Sequence, residues 1–434
     1  MKTTFIKAIS LAGGYGGRLN AVTDPQRHAY AIPKAVIPIG ARRSIDFGLE
    51  AFRKIGLTEV SVATWHLHHL IEQALVSDPG LNISYFQERA KDPLDTASSV
   101  ASIVRDRGWD ARKTNVIIVQ SCDIIHNIPL SPALEHHFRT KAAATVVVNA
   151  IQWDQADRFG TVLLEGMPRR SEFKSELDFE DAAGAWIIDR QSTGAKILEF
   201  REKSSRQTCP SNLNNASIYI FSAAFLRHIM PMMTKKDKDK PLFPDIYRPG
   251  GPVPFSDWGR HVFRWLTDPQ NRKRFPFFAY ITPEKYYWRD IGLGNDIREA
   301  NMDVLEGKIN GGLDRFAVES WGWRGRDVRI DPSARINQSL IDDGCVIGPG
   351  VWIDKAVIGR NTVVEAGAHI YRSVILAKPE GEKEPNLIGE GSRLVESLFL
   401  GGTINRGTVY ERKMIYTPAG GCAIDSLYQK TEII

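Results

Sequence analysis

Cysteine is scarce in this chain. Four cysteines in 434 residues (Cys122, Cys209, Cys345 and Cys422) stand far apart and form no CxxC. Neither a disulfide framework nor a zinc finger follows from them. No stretch of 18 apolar residues occurs, which argues against a membrane-spanning helix. The apolar start of the chain is interrupted by Lys7 and runs into glycines, so it reads as a strand and not as a signal peptide. A concentrated basic stripe is missing as well. The 56 Lys and Arg against 51 Asp and Glu leave a net charge of +5, and the densest run, Lys235–Lys240, alternates sign like a solvated loop. Nucleic acid is therefore not an expected partner, whereas small anions are. With 43% hydrophobic and 25% charged residues the chain has ordinary globular composition, which excludes disorder as a description of the whole. The length gives an expectation of two to three domains in a soluble, cytoplasmic protein without membrane contact.

Over the first 300 residues, short β-branched runs alternate with helical patterns. Expected strands are Phe5–Leu11, Glu59–Ala63, Asn115–Gln120, Ala144–Ala150, Ser217–Phe221 and Pro276–Ile281. Expected helices are Ile45–Ile55, Leu67–Leu75, Thr96–Arg105, Pro132–Arg139 and Ala223–Met233. This alternation predicts an α/β domain with a mostly parallel sheet, whose binding sites lie at the carboxyl ends of the strands.

The last hundred residues follow a different rule. Aliphatics at Ile330, Ile336, Ile341, Ile347, Ile353, Ile358, Val364, Ile370 and Ile375 step by 6, 5 and 6, so the pattern repeats every 17 residues. That is neither a helical nor a strand period. It predicts three short strands per coil of a parallel β-helix, one inward aliphatic per strand, with Gly344, Gly348, Gly350, Gly359 and Asn361 near the corners. Lys378–Pro385 interrupts the period, and Ile388, Leu394 and Phe399 resume it. The predicted division is 1–305 for the α/β domain, 306–326 for a linker and 327–434 for the β-helix, about six coils' worth of chain.

Several constellations could carry chemistry. The first strand runs into Ala12-Gly-Gly-Tyr-Gly-Gly-Arg-Leu19, a loop whose amides can close around phosphates. It is neither GxxxxGK[ST] nor GxGxxG. Lys34 follows in IPKAVIPIG, Asp123 ends the apolar run NVIIVQSCD, Lys203 ends ILEFREK, and Asp290 sits in YWRDIG. Isolated carboxylates, lysines, an arginine and a glycine-rich loop suit Mg²⁺-assisted transfer at a polyphosphate. Taken singly, each of these residues reads better as a surface charge or a helix cap.

In this order, LAGGYGGRL, the IPKAVIPIG lysine, RSIDF (Arg43–Phe47), SCD, FREK and YYWRDIG resemble the sugar-1-phosphate nucleotidyltransferases. With the hexapeptide-repeat tail, the likeness is greatest to bacterial glucose-1-phosphate adenylyltransferases. The resemblance implies a Rossmann-like nucleotidyltransferase domain followed by a left-handed parallel β-helix. It also implies Mg²⁺-dependent transfer from an NTP, ATP favoured, to a sugar 1-phosphate, glucose 1-phosphate favoured. By that resemblance Leu11, Ala12, Gly13, Gly14, Gly16 and Gly17 with Thr96 and Ala97 bind the nucleotide, and Arg18, Lys34 and Asp123 are catalytic. Asp123 and Asp290 hold Mg²⁺. Gly160, Glu202, Lys203, Asn215 and Ser217 bind the sugar phosphate. A homo-oligomer, tetramer or dimer, is implied as well.

This chain departs from the family pattern at Gly17, Asp95, Asn215, Ser217 and Leu293, all near expected substrate contacts. Two alternatives follow: another sugar or a cyclitol phosphate as acceptor, or a regulatory paralogue without turnover. A third, a bifunctional acyltransferase, would need His369, the one histidine of the repeat region, which the periodicity places on the outside. His66 and His69, three apart at an expected helix start, are not read as a metal site, because such a site needs several converging ligands.

Overall fold

The computed structural model describes residues 5–76, 78, 80–88, 94–110, 115–234, 242–243, 255–379, 381–418 and 423–427. Lys235–Lys240 and Cys422 lie outside the described residues. The chain forms two compact units, each discontinuous in sequence. One comprises residues 1–14, 48–65 and 75–288, the other residues 15–47, 66–74 and 289–434.

The first unit is built on a nine-stranded sheet. Its spine, in spatial order, is Asn82–Gln87, Glu59–Thr64, Ile6–Leu11 and Val116–Ser121, all parallel. Leu213–Ser222 then adds antiparallel to Val116–Ser121, and it also pairs with Ala144–Ala150, which carries Phe277–Ile281 in parallel. Val116, Ile117, Ile118 and Val119 are all nearly or wholly buried, as expected of a strand covered on both faces. Thr96–Asp106 lies over the spine because its small and β-branched residues Ala97, Val100, Ala101 and Val104 fall on one side. The expected strands and helices all occur, with ends shifted by a few residues; Pro132–Arg139, for example, extends to Leu130–Arg139. The helix Glu176–Asp189 was not foreseen. Leu177 and Ile188 sit exposed on it (64% and 61%), so its sequence has no clean apolar stripe.

The second unit contains the β-helix. Its three faces are stacks of parallel strands whose partners are Ile330, Ile347, Val364, Ile388 and Ile404 on one face. Ile336, Ile353, Ile370, Leu394 and Tyr410 align on the second, and Ile341, Ile358, Ile375, Phe399 and Ile415 on the third. From Ile330 to Ile375 the 17-residue period is thus the rung register itself; the next step is 24 residues, spanning the Lys378–Pro385 interruption, and the last is 16. Most of these side chains are buried, and Ile330 and Ile336, on the end coil, are only half-buried. The corners need glycine for two different reasons. Gly344 and Gly350 have φ of +73° and +65°, while a Cβ at Gly359 would lie 2.5 Å from the Ala377 amide nitrogen. Asn361 takes φ +54°, the left-handed conformation that asparagine tolerates.

The stack also begins earlier and ends sooner than chain length alone suggests. Gly322–Arg324 pairs in parallel with Ser339–Ile341, and Ala423–Ser426 turns back antiparallel to Lys413–Tyr416 instead of starting another coil. The helix Gly294–Leu305 belongs with this unit: a Cβ at Gly294 would sit 2.9 Å from Met414 Sδ, and Arg298 donates to the Arg372 carbonyl at 3.3 Å. His369 is exposed, in edge contact with Trp352 at 5.5 Å.

Two consequences can be measured. Ile353→Ala removes an interior rung and is expected to cost about 2–4 kcal/mol in urea unfolding, whereas His369→Ala should shift stability by less than about 0.5 kcal/mol. Burial also pushes the pKa of His28, His136 and His137 down to about 4, with Arg139 adding to the effect at His136 and His136 adding to it at His137. The unfolded chain titrates near 6.5, so between roughly pH 6.5 and 4 it binds more protons than the fold does. Stability should therefore fall as pH drops through that window, and His137→Gln should flatten the dependence of the urea midpoint on pH.

Candidate active site

In the first unit, two strands end level. Leu11 lies opposite Ser121, and the Cys122 amide donates to the Leu11 carbonyl at 3.1 Å. The loops starting at Ala12 and Asp123 therefore leave the same sheet edge side by side. The Ala12 amide still belongs to the ladder and donates to Ala63 O at 3.0 Å. The amides of Gly13 and Gly14 donate to no group among the described residues, and the space around the Gly14 α-carbon is open. Gly13 faces the buried Glu88: a Cβ there would lie 3.5 Å from Glu88 Oε1. Burial holds the Glu88 carboxyl above its ordinary range, opposed by the Leu94 amide that donates to it at 2.7 Å. The Ser121 hydroxyl donates to Asp123 Oδ1.

Thr96 opens a helix whose first amides are already engaged. Those of Ala97 and Ser98 donate to the Ser256 carbonyl at 3.0 and 3.1 Å. The Thr96 hydroxyl donates to Asp257 Oδ2 and accepts from the Trp258 amide, both at 3.2 Å. Asp95 accepts from the Ser256 hydroxyl at 2.7 Å. This turn is thus locked to residues 256–258, and Ala97 is fully buried.

A third group surrounds Gly160, which is paired opposite Glu202. A Cβ at Gly160 would lie 2.5 Å from the Phe200 ring and 2.8 Å from Glu202 Oε2, and one at Gly259 would lie 2.7 Å from the same oxygen. Both glycines are needed to seat that carboxylate. Glu202 is exposed as a residue, yet desolvation of its carboxylate raises its pKa, with Lys203 pulling it down. Lys203 has φ +52° and its amide donates to the Phe159 carbonyl at 2.9 Å. Next to it the Leu213–Ser222 strand bulges between Asn215 and Tyr219. Asn215 donates to the Tyr219 hydroxyl at 3.0 Å and accepts from the Ser217 amide at 2.9 Å, and Ser217 has φ +57°. Glycine would meet that left-handed conformation without strain; serine carries roughly 1 kcal/mol of it. Trp288 packs on Phe159 at 5.3 Å and donates to the Ala216 carbonyl at 3.1 Å.

The second unit holds the remaining expected residues. Gly16, at φ +72°, lies against the Lys34 stem, which a Cβ would approach to 3.1 Å. Gly17–Leu19 is a single 3₁₀ turn carrying Arg18. Arg18 Nη2 is 4.0 Å from Asp290 Oδ2, and Asp290 is 9% exposed. Lys34 starts a 3₁₀ turn after Pro33, and its carbonyl accepts from the Ser44 hydroxyl. Ser44 is held by the Arg43–Asp46 turn, in which the Arg43 amide donates to Asp46 Oδ2 at 2.7 Å. RSIDF therefore positions the Lys34 turn. His66 packs on Tyr15 with its ring tilted, centroids 4.6 Å apart, and its Nε2 contacts the Thr23 carbonyl.

A glycine-rich loop at the end of a parallel strand is shared by many α/β proteins, and comparison with known proteins narrows the reading. Residues 7–307 match the family model described as Nucleotidyl transferase. The chain belongs to the nucleotidyl transferase family. Among curated relatives, this nucleotidyltransferase is 26% identical over 406 residues to a protein of Bacillus cytotoxicus named glucose-1-phosphate adenylyltransferase, covering 86% of this chain and 90% of the relative. It is also 26% identical over 387 residues to a protein of the same name from Bacillus cereus, covering 85% and 86%.

Sequence reading of this nucleotidyltransferase missed Glu88 behind Gly13, the Ser256–Trp258 segment that locks Thr96, and Gly259 and Gly292. The first three kinds of contact join residues far apart in the chain and leave no local signal. Gly292 was within reach, because it stands two residues after Asp290. A Cβ there would lie 2.5 Å from Asp290 Oδ2 and 2.9 Å from Arg18 Nη2. Gly292→Ala should therefore displace that pair and lower turnover about 10²-fold, with little change in melting temperature. Steady-state kinetics beside a thermal melt would check this, and unchanged turnover would show that the Arg18–Asp290 geometry does not matter.

Proposed function

We propose that this enzyme transfers a nucleotidyl group from an NTP, with ATP preferred, to a sugar 1-phosphate, with glucose 1-phosphate preferred, releasing pyrophosphate. The observation that carries this reading is the pair of amides at Gly13 and Gly14 that donate to no group among the described residues, at the carboxyl end of a central parallel strand and beside the Asp123 loop. Glycine amides at a strand end, with no partner among the described residues, suit phosphate oxygens. The base and sugar choices rest on the names of the relatives.

In this reading Gly13, Gly14, Gly16 and Gly17 hold the triphosphate, and Arg18 and Lys34 offset charge on the departing pyrophosphate. Lys203 binds the phosphate of the acceptor, while Glu202, Asn215 and Ser217 face its hydroxyls. Asp123 and Asp290 offer hard carboxylate oxygens of the kind Mg²⁺ prefers, one or two per ion beside substrate phosphates. When bound, Mg²⁺ would supply further charge neutralisation at the phosphates. A sugar-phosphate oxygen attacks the α-phosphorus in line, the bond to the β-phosphate oxygen breaks, and no covalent enzyme intermediate forms. The protein's contribution is then positioning and electrostatic stabilisation.

The bulge at Asn215–Ser217, with serine in a left-handed conformation, favours a second acceptor reading: another sugar phosphate or a cyclitol phosphate. A pyrophosphate-release assay with Mg²⁺, over five NTPs and a panel of hexose 1-phosphates and cyclitol phosphates, separates the readings. Release with ATP and glucose 1-phosphate supports the first, and release only with another acceptor supports the second. Asp123→Asn is expected to lower the rate on the order of 10²–10³-fold. Absence of release with every pair would overturn turnover itself and point to a regulatory paralogue.

A further inference from the structure

At the opposite end of the strand Val116–Ser121 from Asp123, roughly 17 Å along five residue steps, the first unit carries a groove of about 490 Å³. Asn115, which leads into that strand, stands at its edge, and the helix Leu130–Arg139 and the segment after Pro269–Arg274 form its walls. Lys141 and Arg274 line it, and among the described residues no aspartate or glutamate does. Phe138 and Phe275 supply aromatic surface; Phe138 is 44% exposed, and Arg274 lies over the Phe275 ring at 5.1 Å. Buried His137 also lines the groove, with its Nδ1 engaged by Thr145 Oγ1 at 2.9 Å.

Two cations with no acid beside them among the described lining residues attract an anion, and the exposed Phe138 ring with the half-buried Phe275 ring favours a flat apolar body. The volume falls within the range of small-molecule sites. None of these residues belongs to the groups assigned above to nucleotide, acceptor or metal. We propose that this groove is a second ligand site, for a small phosphate or carboxylate monoanion or dianion that carries a ring. Lys141 and Arg274 hold the charged group, Phe138 and Phe275 pack the ring, and His137 offers one hydrogen bond from the floor.

Phenyl phosphate and inorganic phosphate are the probes, measured by calorimetry on the whole protein with and without saturating ATP and Mg²⁺. The expected result is saturable phenyl phosphate binding that persists with ATP and Mg²⁺ present. Inorganic phosphate should bind about tenfold more weakly, and the Lys141→Gln/Arg274→Gln double variant should lose at least about tenfold in affinity for phenyl phosphate. Both side chains are exposed, so the double variant should fold, which a melt at the wild-type temperature would verify. No saturable binding, complete displacement by ATP, equal affinity for the two probes, or unchanged affinity in the folded double variant would each overturn the assignment.

Discussion

The level ending of two parallel strands is the constraint on which the rest of the site in the first unit depends. With Leu11 opposite Ser121, the glycine loop and Asp123 emerge at one edge, and the hydrogen bond from Cys122 to Leu11 keeps them in step. A slip of one residue between these strands would turn every side chain of Val116–Ser121 to the other face and separate the loop from the carboxylate. The strand is buried on both sides, so its position is held by packing along its whole length. That is why a rigid parallel spine suits a reaction in which catalysis is mostly a matter of holding charged groups in place.

Small residues make the second layer of the design. Gly160 and Gly259 admit the Glu202 carboxylate, and Gly292 admits the Arg18–Asp290 pair. Gly48 admits Gln120, whose amide nitrogen would lie 2.0 Å from a Cβ. In each case a polar or charged group occupies volume that a methyl would otherwise fill, so these positions do not tolerate alanine without local rearrangement. The positive φ values at Lys203 and Ser217 point the same way: backbone strain of roughly 1 kcal/mol per residue is tolerated where the chain must turn sharply beside the expected sugar-phosphate contacts.

Legibility in the sequence followed the range of the interactions. The glycine loop, Lys34, Asp123, Lys203 and Asp290 stood out as candidates because a chemical group and its place at the end of an element lie within a few residues of each other. The role of RSIDF was readable as a motif but not as a mechanism, since only the fold joins Ser44 to the Lys34 carbonyl. The Thr96 turn was readable as a nucleotide contact by resemblance, yet its hydroxyl and the two amides that follow are bound to residues 256–258, some 160 positions away in the chain. The helix Glu176–Asp189 escaped because two large apolar residues face outward on it.

By itself the sequence determined the β-helix rung by rung, because an aliphatic every 17 residues can be buried only if successive coils stack in that register. It likewise marked Ile6–Leu11, Glu59–Thr64 and Val116–Ser121 as buried strands of a mostly parallel sheet, whereas the fourth spine strand, Asn82–Gln87, carries no continuous apolar run. The tertiary structure alone decided which partners surround the candidate residues: Glu88 behind Gly13, Ser256 over Ala97, Gly259 against Glu202. It also decided that Gly294–Leu305 packs with the β-helix. Those contacts depend on where distant segments cross, and a linear pattern carries no record of a crossing between residues that are neither periodic nor adjacent.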